Sequence, residues 1–296
     1  MKKSFFFAFL LLYFAGATHL WHQVTAGFAM RKIDPAPFMG MLDAFLKTHP
    51  EKTGFSHQNS PPLQGRFTYL GKGRQCYVFS STDGKMVLKL YRYHLLFPSM
   101  QERLYGFFFG TPPKKDGGRL ENYLTSCLLA ESCASQQSGL IAFHLPESSC
   151  KKRIVTICDR LGRMYPIDLS KQVYVLQKQG IDLGKQLQEE LRMHNKKRFF
   201  SLVDAYLRLQ VDVRKKGLEN QDPCPLRNAG YLPDDGTVFD LDIGRYVKKD
   251  PCITQKQLHA SLVKSSSSLR RMLERLRPSW LQELSRSIDA TAKKGL

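Results

Sequence analysis

Acidic residues are scarce for the number of bases: 26 Asp and Glu stand against 45 Lys and Arg in 296 residues, a formal net charge of +19. That imbalance favours anionic partners, whether nucleotide, nucleic acid, anionic lipid or an acidic protein. The bases run along the whole chain, with clusters at Lys196-Lys197-Arg198 and Arg270-Arg271. Nowhere do they alternate with aromatics as a groove for single strands would, so nucleic acid is not the favoured partner. No C-x-x-C occurs among Cys76, Cys127, Cys133, Cys150, Cys158, Cys224 and Cys252, and no Cys/His group has zinc-ligand spacing. An odd cysteine count argues against a full disulfide framework and leaves room for one or two bridges. Internal repeats are missing, and the only low-complexity stretch is the short run from Ser265 to Ser268.

What is present is material for a core. With 42% hydrophobic and 24% charged residues, the chain suits one large domain or two lobes. Met1-Lys2-Lys3 is a short positive segment, and Phe5 to Ala17 is almost wholly apolar. That run has the length of a signal-peptide core and is short for a bilayer span. Ala15-Gly16-Ala17 and Val24-Thr25-Ala26 both fit a small-residue cleavage site. Trp21 would equally suit the interface end of a retained anchor. Residues 1–26 are thus expected to be a signal peptide or an N-terminal anchor, making the protein membrane-anchored or secreted. Residues 27–65 are expected to hold a helix from Phe38 to Thr48 and a polar linker with Pro61-Pro62.

From Arg66 the pattern becomes strand-like. Phe67 to Leu70, Cys76 to Phe79 and Met86 to Tyr91 are expected strands, with Asp83-Gly84 as the turn between the last two. Residues 107–118 read as a loop or insertion. Arg119 to Cys133 is expected to be a helix, and strands are expected at Gly139 to His144, Arg153 to Cys158 and Val173 to Gln177. Helices dominate beyond Gly180, the clearest running from Phe199 to Lys216. The fold class is therefore α+β, with a strand-rich half followed by a helix-rich half.

Three local motifs carry candidate chemistry. Gly71-Lys72-Gly73 lies between two strands, where glycines allow a tight turn and close approach to a phosphate. Lys89 sits in the apolar strand Val87-Leu88-Lys89-Leu90, placed either to hold phosphates or to face water on a sheet edge. Asn228 precedes a strand, turn and strand that end in Asp242-Ile243-Gly244, and both residues offer hard oxygens to a magnesium ion.

Together these motifs resemble the protein-kinase-like superfamily. Gly71-x-Gly73-x-x-Cys76-x-Val78 is similar to its glycine-rich loop, with Cys76 in place of a third glycine. Val87-Leu88-Lys89 is similar to its lysine strand, Val173 to Gly180 to the fifth strand and hinge, and Asp242-Ile243-Gly244 to D-F-G. The resemblance covers Arg66 to about Tyr246. It implies a two-lobed fold, an antiparallel-sheet N-lobe at 66–180 and a short helical C-lobe at 181–296. It also implies ATP and Mg²⁺ as cofactors. Gly71, Gly73, Val78 and Lys89 would then contact nucleotide, with Glu131 (rather than Glu121) as the partner of Lys89. Asn228 and Asp242 would hold metal, and Asp222 would orient the acceptor hydroxyl of a protein or small molecule.

The departures are specific. The family's catalytic Asp stands five positions before the Asn, where this chain has Pro223; Asp222 is one position further away. Asn220-Gln221 replaces the usual His-Arg, and no A-P-E follows Gly244. Three functions stay open: an ATP-dependent phosphotransferase, a catalytically inactive kinase-like binding module at the membrane or outside the cytoplasm, and a basic envelope protein that binds anionic lipid or nucleic acid.

Overall fold

The computed structural model describes residues 13, 15–49, 63, 65–97, 107, 117–146, 151–222, 225–250 and 254–295. Most of the expected linker at 50–65 and of the insertion at 107–118 lies outside these residues. The chain divides into two compact units, residues 1–117 with 144–175, and residues 118–143 with 176–296. The class is α+β.

The first unit is built on an antiparallel meander. β1 (Arg66–Lys72), β2 (Cys76–Ser81) and β3 (Met86–Tyr91) pair in sequence order. Their alternating apolar residues supply the strand period, and Gly84, at φ +68°, makes the second turn. β5 (Ile154–Cys158) adds to β1 in parallel and pairs antiparallel with β6 (Met164–Asp168). With β4 (Leu140–His144), in which the chain re-enters this unit, and β7 (Tyr174–Lys178), in which it leaves, the sheet order is β4-β7-β3-β2-β1-β5-β6. β3 is therefore an interior strand, which removes the reading of Lys89 as an edge lysine.

Register sorts the meander into two faces. Tyr69 opposes Phe79, Tyr77 opposes Leu90, and Phe79 opposes Leu88, so these side chains share one face. Phe28 closes that face, with edge-on ring contacts to Tyr77 and Phe79 at 5.1 and 5.5 Å. Helix α1 (Met39–Thr48) follows, and Phe38 stacks on Tyr93 at 5.5 Å.

The second unit is mainly helical. α2 (Gly117–Cys133) is followed beyond Gly180 by α3 (Leu183–Arg192) and α4 (Lys196–Lys215). Asp182 and Asn195 cap these two helices through their side chains. The tail forms α5 (Gln255–Ser265), α6 (Ser267–Leu276) and α7 (Leu281–Lys294), and α5 opens on a Thr254/Gln257 capping box. α7 packs against α4 and α5.

Short strands carry the polar residues of this unit. β9 (Leu218–Asn220) pairs with β12 (Tyr246–Lys248). β10 (Ala229–Tyr231) pairs with β11 (Val238–Asp240) and with the two-residue β8 (Ile181–Asp182). Phe239, fully buried, fixes β11 by filling space beside three glycines. A Cβ at Gly139, Gly180 or Gly230 would come within 2.6 to 2.9 Å of its ring. Gly139 also has φ +60°, so a side chain there is excluded twice.

Candidate nucleotide and phosphoryl-transfer residues

In the first unit, Gly71 opposes Val78 and Val78 opposes Lys89. Directly opposed residues project to the same side of an antiparallel sheet. Three of the predicted nucleotide contacts, Gly71, Val78 and Lys89, thus form one row across β1, β2 and β3, on the face away from Phe28; Gly73 lies in the turn beyond it. All three are half-buried. A register shift between Tyr69 and Gly71 sets this row, because the bulge brings Gly71 rather than Leu70 opposite Val78.

The turn at Gly73 differs from its sequence reading. Neither Gly71 nor Gly73 has a positive φ. A Cβ on Gly71 meets nothing within 4 Å, and one on Gly73 only the Cys76 carbonyl at 3.8 Å. Backbone strain therefore does not demand glycine here. What shapes the turn is hydrogen bonding. The Gly73 N–H donates to the Cys76 carbonyl at 2.8 Å, and the Arg92 guanidinium donates to the Gly73 carbonyl at 2.8 Å. Arg92 also lies over the Tyr77 ring at 5.1 Å. Its place just past β3 gave no sequence signal for this clamp.

The second unit gathers Asn220, Asp222, Asn228, Asp240 and Asp242 into one polar knot. Asn228 Nδ2 donates to Asp222 Oδ2 at 2.8 Å. The Asp222 N–H donates to Asn220 Oδ1 at 3.1 Å. Asn220 Nδ2 reaches Asp240 Oδ2 and the Asp242 carbonyl, each at 3.4 Å. Asp242 Oδ1 accepts the Gly244 N–H at 3.0 Å. Pairing of β9 with β12 brings Asn220 beside this loop, since Asn220 opposes Tyr246. The sequence expectation joined Asp222, Asn228 and Asp242 as site residues; Asp222 and Asn228 are in direct contact, and Asn220 links them to Asp242.

Asp240 is the buried centre of the knot, 1% exposed. The Tyr246 hydroxyl donates to its Oδ2 at 2.5 Å, while Oδ1 has no hydrogen-bond partner among the described residues. Burial pushes its carboxyl up to about 6, with the charges of Asp242 and Asp222 acting the same way, against the Tyr246 and Asn220 hydrogen bonds. Ser126 on α2 pins the following loop: it donates to the Ile243 carbonyl and accepts the Tyr246 N–H, both at 2.5 Å. Asp240 and Ser126 escaped the sequence reading. Each had one faint mark, a polar residue in an apolar strand and a serine on an apolar helix face.

Among the described residues no group of three or more His, Cys, Asp or Glu gathers to cage a metal. The donor set suits a less enclosed ion. With its amide N–H turned to Asp222, Asn228 keeps Oδ1, and Asp242 keeps a carboxylate oxygen. Two hard oxygens match what Mg²⁺ takes from protein when phosphates and water supply the rest. Glu131, the expected partner of Lys89, lies on α2 in the second unit, and Lys89 in the first.

No known family model matches the chain, and no curated protein matches it. Among solved structures it is similar to WbdD in complex with a kinase inhibitor, at 12% identity and TM-score 0.40, over 77% of this chain and 45% of that one. The chain therefore spans under half of WbdD's length. It is similar to an aminoglycoside phosphotransferase from Streptomyces rimosus at 14% identity and TM-score 0.33, over 85% of this chain and 91% of that one. It is also similar to ROP2 from Toxoplasma gondii, described as having a protein-kinase fold and no enzymatic activity, at 12% identity and TM-score 0.35, over 77% and 74%.

Proposed function

We propose that the protein transfers the γ-phosphoryl group of ATP to a hydroxyl acceptor. The observation that carries this reading is the 2.8 Å bond from Asn228 to Asp222. In sequence Asp222 stands one position out of register with the family motif. In the fold its carboxylate is nonetheless held by the residue proposed to bind metal, which is the coupling such chemistry needs.

The roles divide by residue. Lys89, in one row with Val78 and Gly71, grips the phosphates. Asn228 Oδ1 and the Asp242 carboxylate hold Mg²⁺, which when bound offsets charge on the phosphates. Asp222 accepts the proton of the acceptor hydroxyl as that oxygen bonds to the γ-phosphorus. The bond from that phosphorus to the bridging oxygen breaks, and ADP leaves with the electron pair. Asn220 and Asn228 keep Asp222 aimed, so the contribution is mostly positioning. Tyr246 and Ser126 hold the loop that carries Asp242.

The test is turnover of Mg-ATP by the full chain, followed as phosphorylated acceptor or as phosphate released to water. Asp242→Asn should lower it by about two orders of magnitude or more. Wild-type protein that binds Mg-ATP and turns over none would instead support an inactive nucleotide-binding module.

A further inference from the structure

The first unit carries a second cationic feature, on the face of the sheet away from Lys89. Residues 15–24 are helical and exposed, with Leu20, Trp21 and Val24 at 64%, 56% and 40% exposure. These three positions lie within about 100° of one another on a helix, so they form one apolar stripe. The stripe is tied to the sheet rather than hung on a loose linker. Thr25 Oγ1 donates to the Trp21 carbonyl at 2.7 Å, and the backbone turns at Ala26 and Gly27 through φ +51° and +73°. Phe28 then enters the aromatic face of the sheet.

Bases crowd this junction. Lys32 Nζ and the Tyr77 hydroxyl both donate to the Gly27 carbonyl at 2.6 Å. The His22 ring packs against Gly27, where a Cβ would meet it at 2.4 Å. Arg92 lies over the Tyr77 ring, His94 stacks near it at 6.4 Å, and exposed Lys72 opposes Tyr77 in the ladder. Arg31 is exposed beside Lys32. Among the described residues, the charged groups acting on Lys32 and on His94 are all basic. Burial foremost, with the neighbouring Arg92 and Lys32 charges acting the same way, brings His94 down to about 4. Of two carboxylates at this junction, Asp34 is exposed two residues from Lys32 and accepts the Ala36 N–H, and Asp159 is buried and bonded to Arg163, whose guanidinium sits over the Trp21 ring at 5.3 Å.

An exposed apolar stripe ending in an indole, beside a cluster of unneutralised bases, fits the boundary of a bilayer: acyl chains below, phosphates above. We propose that this junction docks on anionic lipid, with Leu20, Trp21 and Val24 entering the interface and Arg31, Lys32, Lys72 and Arg92 reading the headgroup phosphates. A soluble phosphate would engage the bases but leave the stripe in water, so lipid accounts for both features. The site is distinct from the Gly71–Val78–Lys89 row, and its occupancy needs no nucleotide.

The experiment is sedimentation of the full chain with vesicles of phosphatidylcholine alone and of phosphatidylcholine mixed with phosphatidylserine. The expected result is preference for the mixed vesicles, weakening as salt rises. Removing each of the exposed charges in Arg31→Gln and Lys72→Gln should weaken that binding by roughly fivefold. Trp21→Ala should weaken it further. Equal binding to both vesicles, binding indifferent to these substitutions, or retention by neither vesicle would overturn the proposal. So would displacement from mixed vesicles by inorganic phosphate at constant ionic strength, which would assign the bases to a soluble anion.

Discussion

The two units present their chemistry in opposite ways. In the first, the candidate residues form a half-buried row laid out by strand register, with Lys89 next to Val78 and Gly71 one strand beyond. In the second, they form a cross-linked knot in which Asn220, Asp222, Asn228, Asp240, Asp242 and Tyr246 hold one another. A row of this kind grips through one cation and tolerates change around it. A knot fixes the direction of each oxygen, and loss of one member disturbs the others. The difference matches the division of labour proposed above: holding phosphates needs charge, whereas directing an attack needs orientation.

That comparison can be broken in several ways. Outside the two carboxylates Asp222 and Asp242, the largest effect is expected at the single cation of the row. Lys89→Ala should weaken Mg-ATP binding by about 10- to 100-fold, the worth of a charged hydrogen bond, with no change in fold by circular dichroism. Calorimetric titration with unchanged affinity would remove Lys89 from the nucleotide site.

Next comes the knot. Tyr246→Phe strips the hydroxyl from the buried Asp240 carboxylate and should cost about 1–3 kcal/mol by urea unfolding. A cost near zero would mean that Asp240 is satisfied elsewhere. Asp240 also gives the knot a pH signature. Its carboxyl is raised from 3.8 to about 6 in the folded state, so between those values the folded protein holds a proton that the unfolded chain has released. Stability attributable to this group therefore falls as pH rises through that window. Melting temperatures of wild type and Asp240→Asn, compared across it, should show the fall in wild type and lose it in the variant. Identical pH profiles would contradict the burial argument.

The smallest effect is expected in the glycine turn. Gly73→Ala should change stability by no more than about 0.5 kcal/mol, because its φ is negative and its Cβ direction is open. A larger cost would show that the turn needs the left-handed region after all.

How much of this was legible in sequence follows from range. β1, β2, β3, α2 and α4 were readable because alternation, Asp83-Gly84 and the Leu202–Tyr206–Leu209 spacing are local signals. β6 was missed because Pro166 interrupts it, and the proline is tolerated on what proves to be an edge strand. β9 and β12 are three residues each and find each other across the chain, with Asn220 opposite Tyr246, so neither has a period to detect. The same limit hid the knot. Asp222, Asn228 and Asp242 were legible through a family motif, while Asn220, Asp240, Tyr246 and Ser126 matter only through contacts that the fold creates. The glycine turn was legible in position but not in cause, because Arg92 and the Gly73–Cys76 hydrogen bond do what two glycines suggested.

The central claim is that Asp222, held by Asn228, activates an acceptor hydroxyl. It is tested most directly by following phosphoryl transfer from labelled ATP, to acceptor or to water, in wild type and Asp222→Asn, with Mg-ATP affinity measured on both. The account predicts turnover by wild type that falls by roughly 10²- to 10⁴-fold in the variant while affinity is retained. Equal turnover in the two proteins, or none in wild type, would contradict it.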